Sequence, residues 1–276
     1  MRLAIGFLLG SFLLAQEPYS YYRAGAAADV TTKGRGGCVL MGGSTDVAEA
    51  FAWMIERSGN GDFLVLRATG TDAYNPFVLK QGRANSAATL IVRTREAAAD
   101  PVVVEKVRRA DAIFLAGGDQ WNYIRLWKGT PLAAALQERI DAGAPVGGTS
   151  AGLAVLGQYY FSAEFDTITS AEAEADPAGK KIALGKDFVR VPHLEDVITD
   201  SHFSERKREG RLAIFVGRIG GPDILGLGVD EKTAVLLDTD GRGRVVGKAG
   251  AHVYRNRRPP RSFPSGAELL LRKPRE

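Results

Sequence analysis

Ala144-Pro145-Val146-Gly147-Gly148-Thr149-Ser150-Ala151-Gly152-Leu153-Ala154-Val155-Leu156 reads as a short apolar strand, a tight turn of small residues and the start of a helix. The turn contains the pattern Gly-x-Ser-x-Gly, and a strand before it with a helix after it is the setting of a nucleophile elbow. Small residues are needed there because the backbone at the nucleophile is strained and crowded. The same geometry places the hydroxyl of Ser150 at the positive end of the helix and aims the N–H of Ala151 at a developing oxyanion. A glycine-rich helix start capped by a serine reads the same way over these residues alone.

Working outward, the runs 38–41, 63–66, 90–92 and 113–115 are apolar and bounded by Gly, Asp or Arg. Continuous apolar strands imply burial on both faces, as in a parallel sheet. Between them lie amphipathic stretches: 47–57 after Asp46, read as its N-cap, and 131–140 closed by Gly143. This alternation predicts an α/β fold with three layers, a doubly wound, mostly parallel sheet in a single domain over residues 36–257. The later runs 224–229, 234–237, 245–246 and 253–254 are expected to complete the same sheet as antiparallel strands. Residues 163–187, polar and rich in Ala, Glu, Asp and Gly, read as an insertion or flap. Residues 16–35 read as a linker and 258–276 as a loosely packed tail. Residues 1–15, with Arg2 ahead of the apolar run 3–14, read as a signal peptide, so the expected location is secreted or periplasmic.

Hydrophobic residues make up 45% of the 276 and charged residues 25%, the balance of an ordinary globular protein. The formal charge of +4 is a small surplus concentrated late in the chain, which reads as a solvated basic surface and not as a nucleic-acid site. A single cysteine, Cys38, rules out an intramolecular disulfide and a cysteine-based metal cluster. No His-Glu-x-x-His run occurs and the three histidines are scattered, so no metal is expected. Gly34-Arg35-Gly36-Gly37 and Gly42-Gly43 raise the question of a nucleotide, yet no Gly-x-Gly-x-x-Gly follows a strand and no Gly-Lys-[Ser/Thr] occurs; no cofactor is expected. The expected partners are a peptide or polymer substrate and, at most, a second copy in a homodimer, with no stable membrane insertion.

A serine nucleophile needs a base, and the choice lies among His193, His202 and His252. His202 sits where the polar run Thr199-Asp200-Ser201 meets an amphipathic stretch; His193 could simply be packed, and His252 lies in a strand-like run. The base in turn needs an acid, and Asp230-Glu231 closes the apolar run Gly226-Leu227-Gly228-Val229, although such a pair also suits a plain turn. Ala116-Gly117-Gly118-Asp119-Gln120 is another strand end followed by glycines, where backbone can approach a ligand closely. An α/β-hydrolase esterase shares the elbow; its acid would precede its histidine and would favour His252 with Asp238 or Asp240. A non-catalytic peptide-binding protein is the reading from another class.

Gly117-Gly118-Asp119-Gln120, Gly147 to Gly152, Asp200-Ser201-His202-Phe203 with Arg206, Arg208 and Arg211, and Asp230-Glu231-Lys232-Thr233-Ala234 together, in this order, resemble cyanophycinase over residues 36–250. The resemblance implies a fold akin to aspartyl dipeptidases and class I glutamine amidotransferase-like, flavodoxin-like domains. It implies Ser150 as nucleophile, His202 as general base and Glu231 as the orienting acid, with Gly118 or Asp119 and Ala151 forming the oxyanion hole. Gln120, Asp200, Ser201, Arg206, Arg208 and Arg211 match positions that shape the family's pocket for β-aspartyl-arginine units. Ser201 and Glu205 stand where the family usually has Gln, which puts the exact substrate in doubt.

Overall fold

The computed structural model describes residues 17–256 and 258–271. The signal peptide expected over residues 1–15 lies outside the described residues. Strand β1 (Tyr19–Gly25) is followed by β2 (Cys38–Met41), helix α1 (Ala48–Arg57), β3 (Asp62–Arg67), α2 (Tyr74–Gln81), β4 (Ser86–Val92), α3 (Pro101–Arg108), β5 (Ala112–Leu115), α4 (Gln120–Trp127), α5 (Pro131–Asp141), β6 (Val146–Thr149) and α6 (Ala151–Ala154). Then come β7 (Tyr159–Phe161), α7 (Ser170–Ala175), β8 (Leu184–Lys186), β9 (Val197–Asp200), α8 (Glu209–Ile219), β10 (Leu225–Val229), β11 (Thr233–Leu237), β12 (Arg242–Gly247), β13 (Gly250–Arg255), β14 (Arg258–Pro264) and β15 (Glu268–Leu270).

The strands form two sheets in one domain: nine in the order β1-β4-β3-β5-β6-β2-β11-β12-β15, and six in the order β14-β13-β10-β9-β7-β8. The centre of the large sheet, β4-β3-β5-β6-β2, is parallel, with antiparallel strands at both margins. Its parallel strands are almost wholly buried, as their unbroken apolar runs require. Alternate residues serve opposite faces. Val39, Met41, Phe63, Val65 and Phe114 meet Phe51, Met54 and Val78 of α1 and α2. Leu40, Leu64, Leu66, Leu90 and Leu115 join a second cluster with Val103, Trp127 and Leu136 of α3, α4 and α5. Leu225, Leu227 and Val229 of the small sheet belong to this second cluster, so the two sheets share a core. The other side of the small sheet is covered by α8, where Phe161, Ile198 and Phe203 meet Leu212 and Phe215.

Five expectations are corrected. The later strands do not all extend one sheet: β11 and β12 join the large sheet, whereas β10 and β13 build the small one. Within the segment read as a linker, β1 pairs antiparallel with β4 along its whole length. In the segment read as a loose tail, β14 pairs with β13 and β15 with β12, and Leu269 and Leu271 are buried. Residues 163–187 are not an open flap, because β8 pairs with β7 and Ile168, Ala173 and Ile182 pack into the core under α8. At α1 the N-cap is Val47, and the carboxylate of Asp46 bonds to Tyr74 instead. Among the described residues no helix is long and apolar enough to cross a membrane.

Two buried carboxylates hold the segment after β1 onto the sheet. Asp62 accepts from Arg23 Nη2 at 3.1 Å, the N–H of Val30 at 3.0 Å and Asn85 Nδ2 at 2.8 Å. Asp111 accepts from the N–H of Asp62 at 2.9 Å and that of Thr32 at 3.3 Å. Removing one partner of a buried, paired charge strands the others. Asp62→Ala is therefore expected to lower unfolding free energy by about 3 kcal/mol; urea unfolding measures it, with limited proteolysis before Asp62 as the structural readout.

Candidate active site

The turn between β6 and α6 has the strain that its sequence requires. Ser150 holds φ 53° and ψ −114°, a left-handed region that a residue with a side chain adopts only when its surroundings enforce it. A Cβ on Gly148 would lie 2.5 Å from the carbonyl carbon of Gly152, and one on Gly152 would lie 2.0 Å from the oxygen of Leu115. Both glycines are thus required by close backbone approach. Ser150 stands at the N-cap of α6 without a capping hydrogen bond from its side chain, which sets aside the reading of a mere capping serine.

The hydroxyl points instead to His202, with Ser150 Oγ 2.8 Å from Nε2. Nδ1 of the same ring lies 2.6 Å from Glu231 Oε1. The imidazole is buried, whereas the Glu231 side chain keeps 24% exposure. His202 is held below the usual histidine range, first by burial and then by the charges of Arg206 and Arg208, against the opposing pull of Glu231. The Glu231 carboxyl is held low, chiefly by its hydrogen bond with His202. A neutral ring flanked by a hydroxyl and a carboxylate can take a proton from the first and be stabilised as the cation by the second.

The backbone that aligns these groups comes from the end of β2. Three consecutive carbonyls accept from the three segments: Met41 from the N–H of Ser150 at 3.0 Å, Gly42 from that of His202 at 2.8 Å and Gly43 from that of Lys232 at 2.9 Å. A Cβ on Gly42 would fall 2.0 Å from the oxygen of Asp230, and one on Gly43 would fall 2.5 Å from Cε1 of His202. The Gly42-Gly43 pair, considered above for nucleotide binding, is therefore the junction of the site. Two further contacts escaped the sequence reading: the Ser44 hydroxyl reaches Glu231, and Glu205 Oε2 accepts the N–H of Glu231 at 3.1 Å. The Gly-Gly at a strand end was their one visible signal.

Gly117 lies against Ser150, where a Cβ would be 3.5 Å from that of the serine, and the Cβ position of Gly118 faces open space apart from Thr69 Oγ1 at 3.9 Å. The Asp119 carboxylate caps α4 through the N–H of Trp121 at 2.9 Å. Among the described residues, no backbone acceptor is bonded to the N–H groups of Gly118, Asp119 or Ala151. These are the donors that an oxyanion beside Ser150 would require.

The expected pocket residues separate into two groups. Asp200, Ser201 and Arg211 are 3%, 4% and 2% exposed and serve the interior. Arg211 makes a bidentate bond to Asp200, Nη2 at 2.6 Å and Nε at 2.8 Å, and donates to the Ile168 carbonyl at 2.9 Å. Its expected place in the pocket is corrected accordingly, since a guanidinium so satisfied has no donor face turned outward. Gln120 donates weakly to the Phe161 carbonyl at 3.3 Å. Arg206 is exposed, and Arg208 Nη1 bonds the Ser201 carbonyl at 2.8 Å and Asp200 at 3.2 Å, its side chain 11% exposed. Burial lowers the Arg208 guanidinium to about 10. Because α8 starts only at Glu209, Arg206 and Arg208 sit in the turn before it and not on one helix with Arg211.

The remaining histidines have other partners. His193 Nε2 is 2.8 Å from the Thr239 carbonyl, and His252 Nε2 is 3.0 Å from Asp230. Asp238 is paired with Arg57 and Asp240 with Arg242, while His252 meets Asp230, so the His252 arrangement of an esterase is not formed. Gly43→Ala is expected to push the His202 ring away and to lower the rate of Ser150 labelling by a fluorophosphonate about 100-fold, the scale of a 1 Å misplacement. Near-wild-type labelling in a folded variant would show that the junction tolerates a methyl group.

Residues 38–244 match the model of peptidase family S51. The chain is 33% identical over 165 residues to a cyanophycinase from Synechococcus elongatus, covering 59% of this chain and 48% of that one. To a cyanophycinase from Nostoc it is 30% identical over 165 residues, 59% of this chain and 51% of the relative. The chain thus spans about half the length of these curated relatives. Among solved structures, a peptidase from an acI-B1 Actinobacterium superposes with a TM-score of 0.64 at 22% identity, over 87% of this chain and 98% of the other, and so shares the fold. With its elbow, its Ser-His-Glu line and three quarters of its length in that match, the chain belongs to peptidase family S51, the cyanophycinase and peptidase E-like serine peptidases.

Proposed function

We propose that this protein hydrolyses β-aspartyl peptides, cyanophycin foremost, by nucleophilic catalysis at Ser150. The observation that carries the proposal is the unbroken hydrogen-bonded line from Ser150 Oγ through His202 to Glu231, at 2.8 and 2.6 Å. Ser150 attacks the scissile carbonyl carbon while His202 Nε2 takes its proton, and Glu231 stabilises the resulting imidazolium through Nδ1–H. The N–H groups of Ala151 and of Gly118 or Asp119 hold the oxyanion. His202 then protonates the departing amine, leaving an acyl-enzyme, and activates the water that releases the acid.

Recognition of the substrate carboxylate falls to Arg206 and Arg208, the members of the arginine cluster closest to solvent; an arginine fork suits a carboxylate. Removal of dipeptides from a chain end, as an exopeptidase, is part of the same reading. The cyanophycinase relatives support the substrate class. The apolar run 3–14 supports export to the periplasm or medium. Helices on both faces of the parallel strands support placing the large sheet in the doubly wound, glutamine amidotransferase-like class.

Incubation with insoluble cyanophycin and with β-Asp-Arg, followed by mass spectrometry of the products, tests the substrate. Ser150→Ala is expected to cost about 10⁴-fold or more in kcat with folding unchanged; loss of less than about tenfold would exclude a serine nucleophile. The pH dependence follows from the depressed His202. The base is lost only on protonation, so the acidic limb of kcat/KM should lie below about pH 6.5, the ordinary histidine value. Arg206→Ala removes a charge that disfavours the imidazolium, and the limb should move to higher pH. A limb that stayed in place, or moved down, would remove Arg206 from the electrostatics of the base.

A further inference from the structure

Directly behind His202 and Glu231 lies a second carboxylate–imidazole pair that this chemistry does not use. Asp230 precedes Glu231 and is 5% exposed. Its Oδ2 accepts from His252 Nε2 at 3.0 Å and from the N–H of Gly250 at 3.1 Å, while its Oδ1 accepts the N–H of Ser204 at 3.0 Å. Ser204 is two residues past His202, and its hydroxyl lies 3.3 Å from His252 Nε2. The His252 ring also stacks on Phe203, centroids 5.2 Å apart, and Phe203 occupies space left by Gly228, where a Cβ would fall 2.4 Å from the phenyl ring. Nδ1 of His252 is 2.9 Å from Ser262 Oγ on β14. One histidine on β13 thus grips the turn that carries the base, through Phe203 and Ser204, and the turn that carries the acid, through Asp230.

We propose that Asp230 and His252 are positioning residues that set the contact between His202 Nδ1 and Glu231. The inference rests on reading Ser150, His202 and Glu231 as the catalytic triad. The Gly42 and Gly43 carbonyls fix the two turns from the side of β2; the Asp230–His252 pair fixes them from the side of β13. To bond the carboxylate, Nε2 carries the hydrogen, and Nδ1 then accepts from the Ser262 hydroxyl. A hydrogen bond of 2.6 Å between residues on separate turns needs both clamps, since a carboxylate and ring displaced by a few tenths of an ångström no longer meet at that distance.

His252→Gln and His252→Phe separate this role from packing. Glutamine keeps a donor for Asp230 without the ring; phenylalanine keeps a ring on Phe203 without the donor. On whichever of cyanophycin and β-Asp-Arg the wild type cleaves, His252→Phe should lower kcat about 10- to 100-fold with KM little changed, and His252→Gln should recover most of the loss. In ¹H NMR the low-field resonance of the His202 Nδ1 proton should persist in wild type and His252→Gln and weaken in His252→Phe. Should His252→Phe not fold, Asp230→Asn, of the same size, should show the same loss of kcat. Full activity in His252→Phe or in Asp230→Asn, or rescue by Phe and not by Gln, would overturn the proposal. If wild type cleaves neither cyanophycin nor β-Asp-Arg and does not label at Ser150, the triad reading fails by itself. The NMR comparison then decides whether the pair controls the His202–Glu231 contact, and an unchanged resonance in His252→Phe refutes it.

Discussion

The hydrogen bonds accepted by Met41, Gly42 and Gly43 are what the remainder of this site depends on. Three segments far apart in the chain, those of Ser150, His202 and Glu231-Lys232, end on successive carbonyls at the close of one strand. That strand, β2, lies between parallel β6, which leads into Ser150, and antiparallel β11, which leads away from Glu231. The large sheet therefore brings in Ser150 and Glu231 from the two strands that flank β2, and the small sheet brings in His202 from the end of β9. Without side chains at Gly42 and Gly43, the approach is close enough for backbone bonds to set the spacing.

Buried carboxylates do the complementary work around this junction. Asp200 takes a bidentate bond from Arg211 and a further one from Arg208, which braces the turn after β9 against α8. Asp230 collects N–H groups from Ser204 and Gly250, and Asp62 collects donors from four neighbours at the start of β3. A buried charge is costly unless it is fully bonded, so each such group defines one arrangement of the loops it touches. The guanidinium of Arg211, bonded to Asp200 and to the Ile168 carbonyl, is turned inward as a result.

The electrostatics of His202 follow from the same packing. Burial of the His202 ring and the nearby guanidinium groups favour its neutral form, while Glu231, still in contact with solvent, stays ionised. In the proposed reaction, a ring that is neutral at rest and already bonded to Glu231 gains the stabilisation of that carboxylate as it takes up a proton.

How far the sequence could be read depended on the range of the forces involved. The Gly-x-Ser-x-Gly turn was legible because Gly148 and Gly152 answer to local crowding, and the parallel strands were legible because burial on both faces leaves unbroken apolar runs. The strand in residues 19–25 was not, since its register is set by pairing with Ser86–Val92 and not by any alternation of its own. The order of Ser150, His202 and Asp230-Glu231 in the chain, and the small residues between them, were determined by the sequence itself. Which histidine meets the serine, which of two adjacent carboxylates meets that histidine, and whether Arg211 faces a ligand or Asp200 were decided only by tertiary structure. Each is a hydrogen bond between groups whose approach is fixed by how two sheets pack, and spacing along the chain carries no record of that distance.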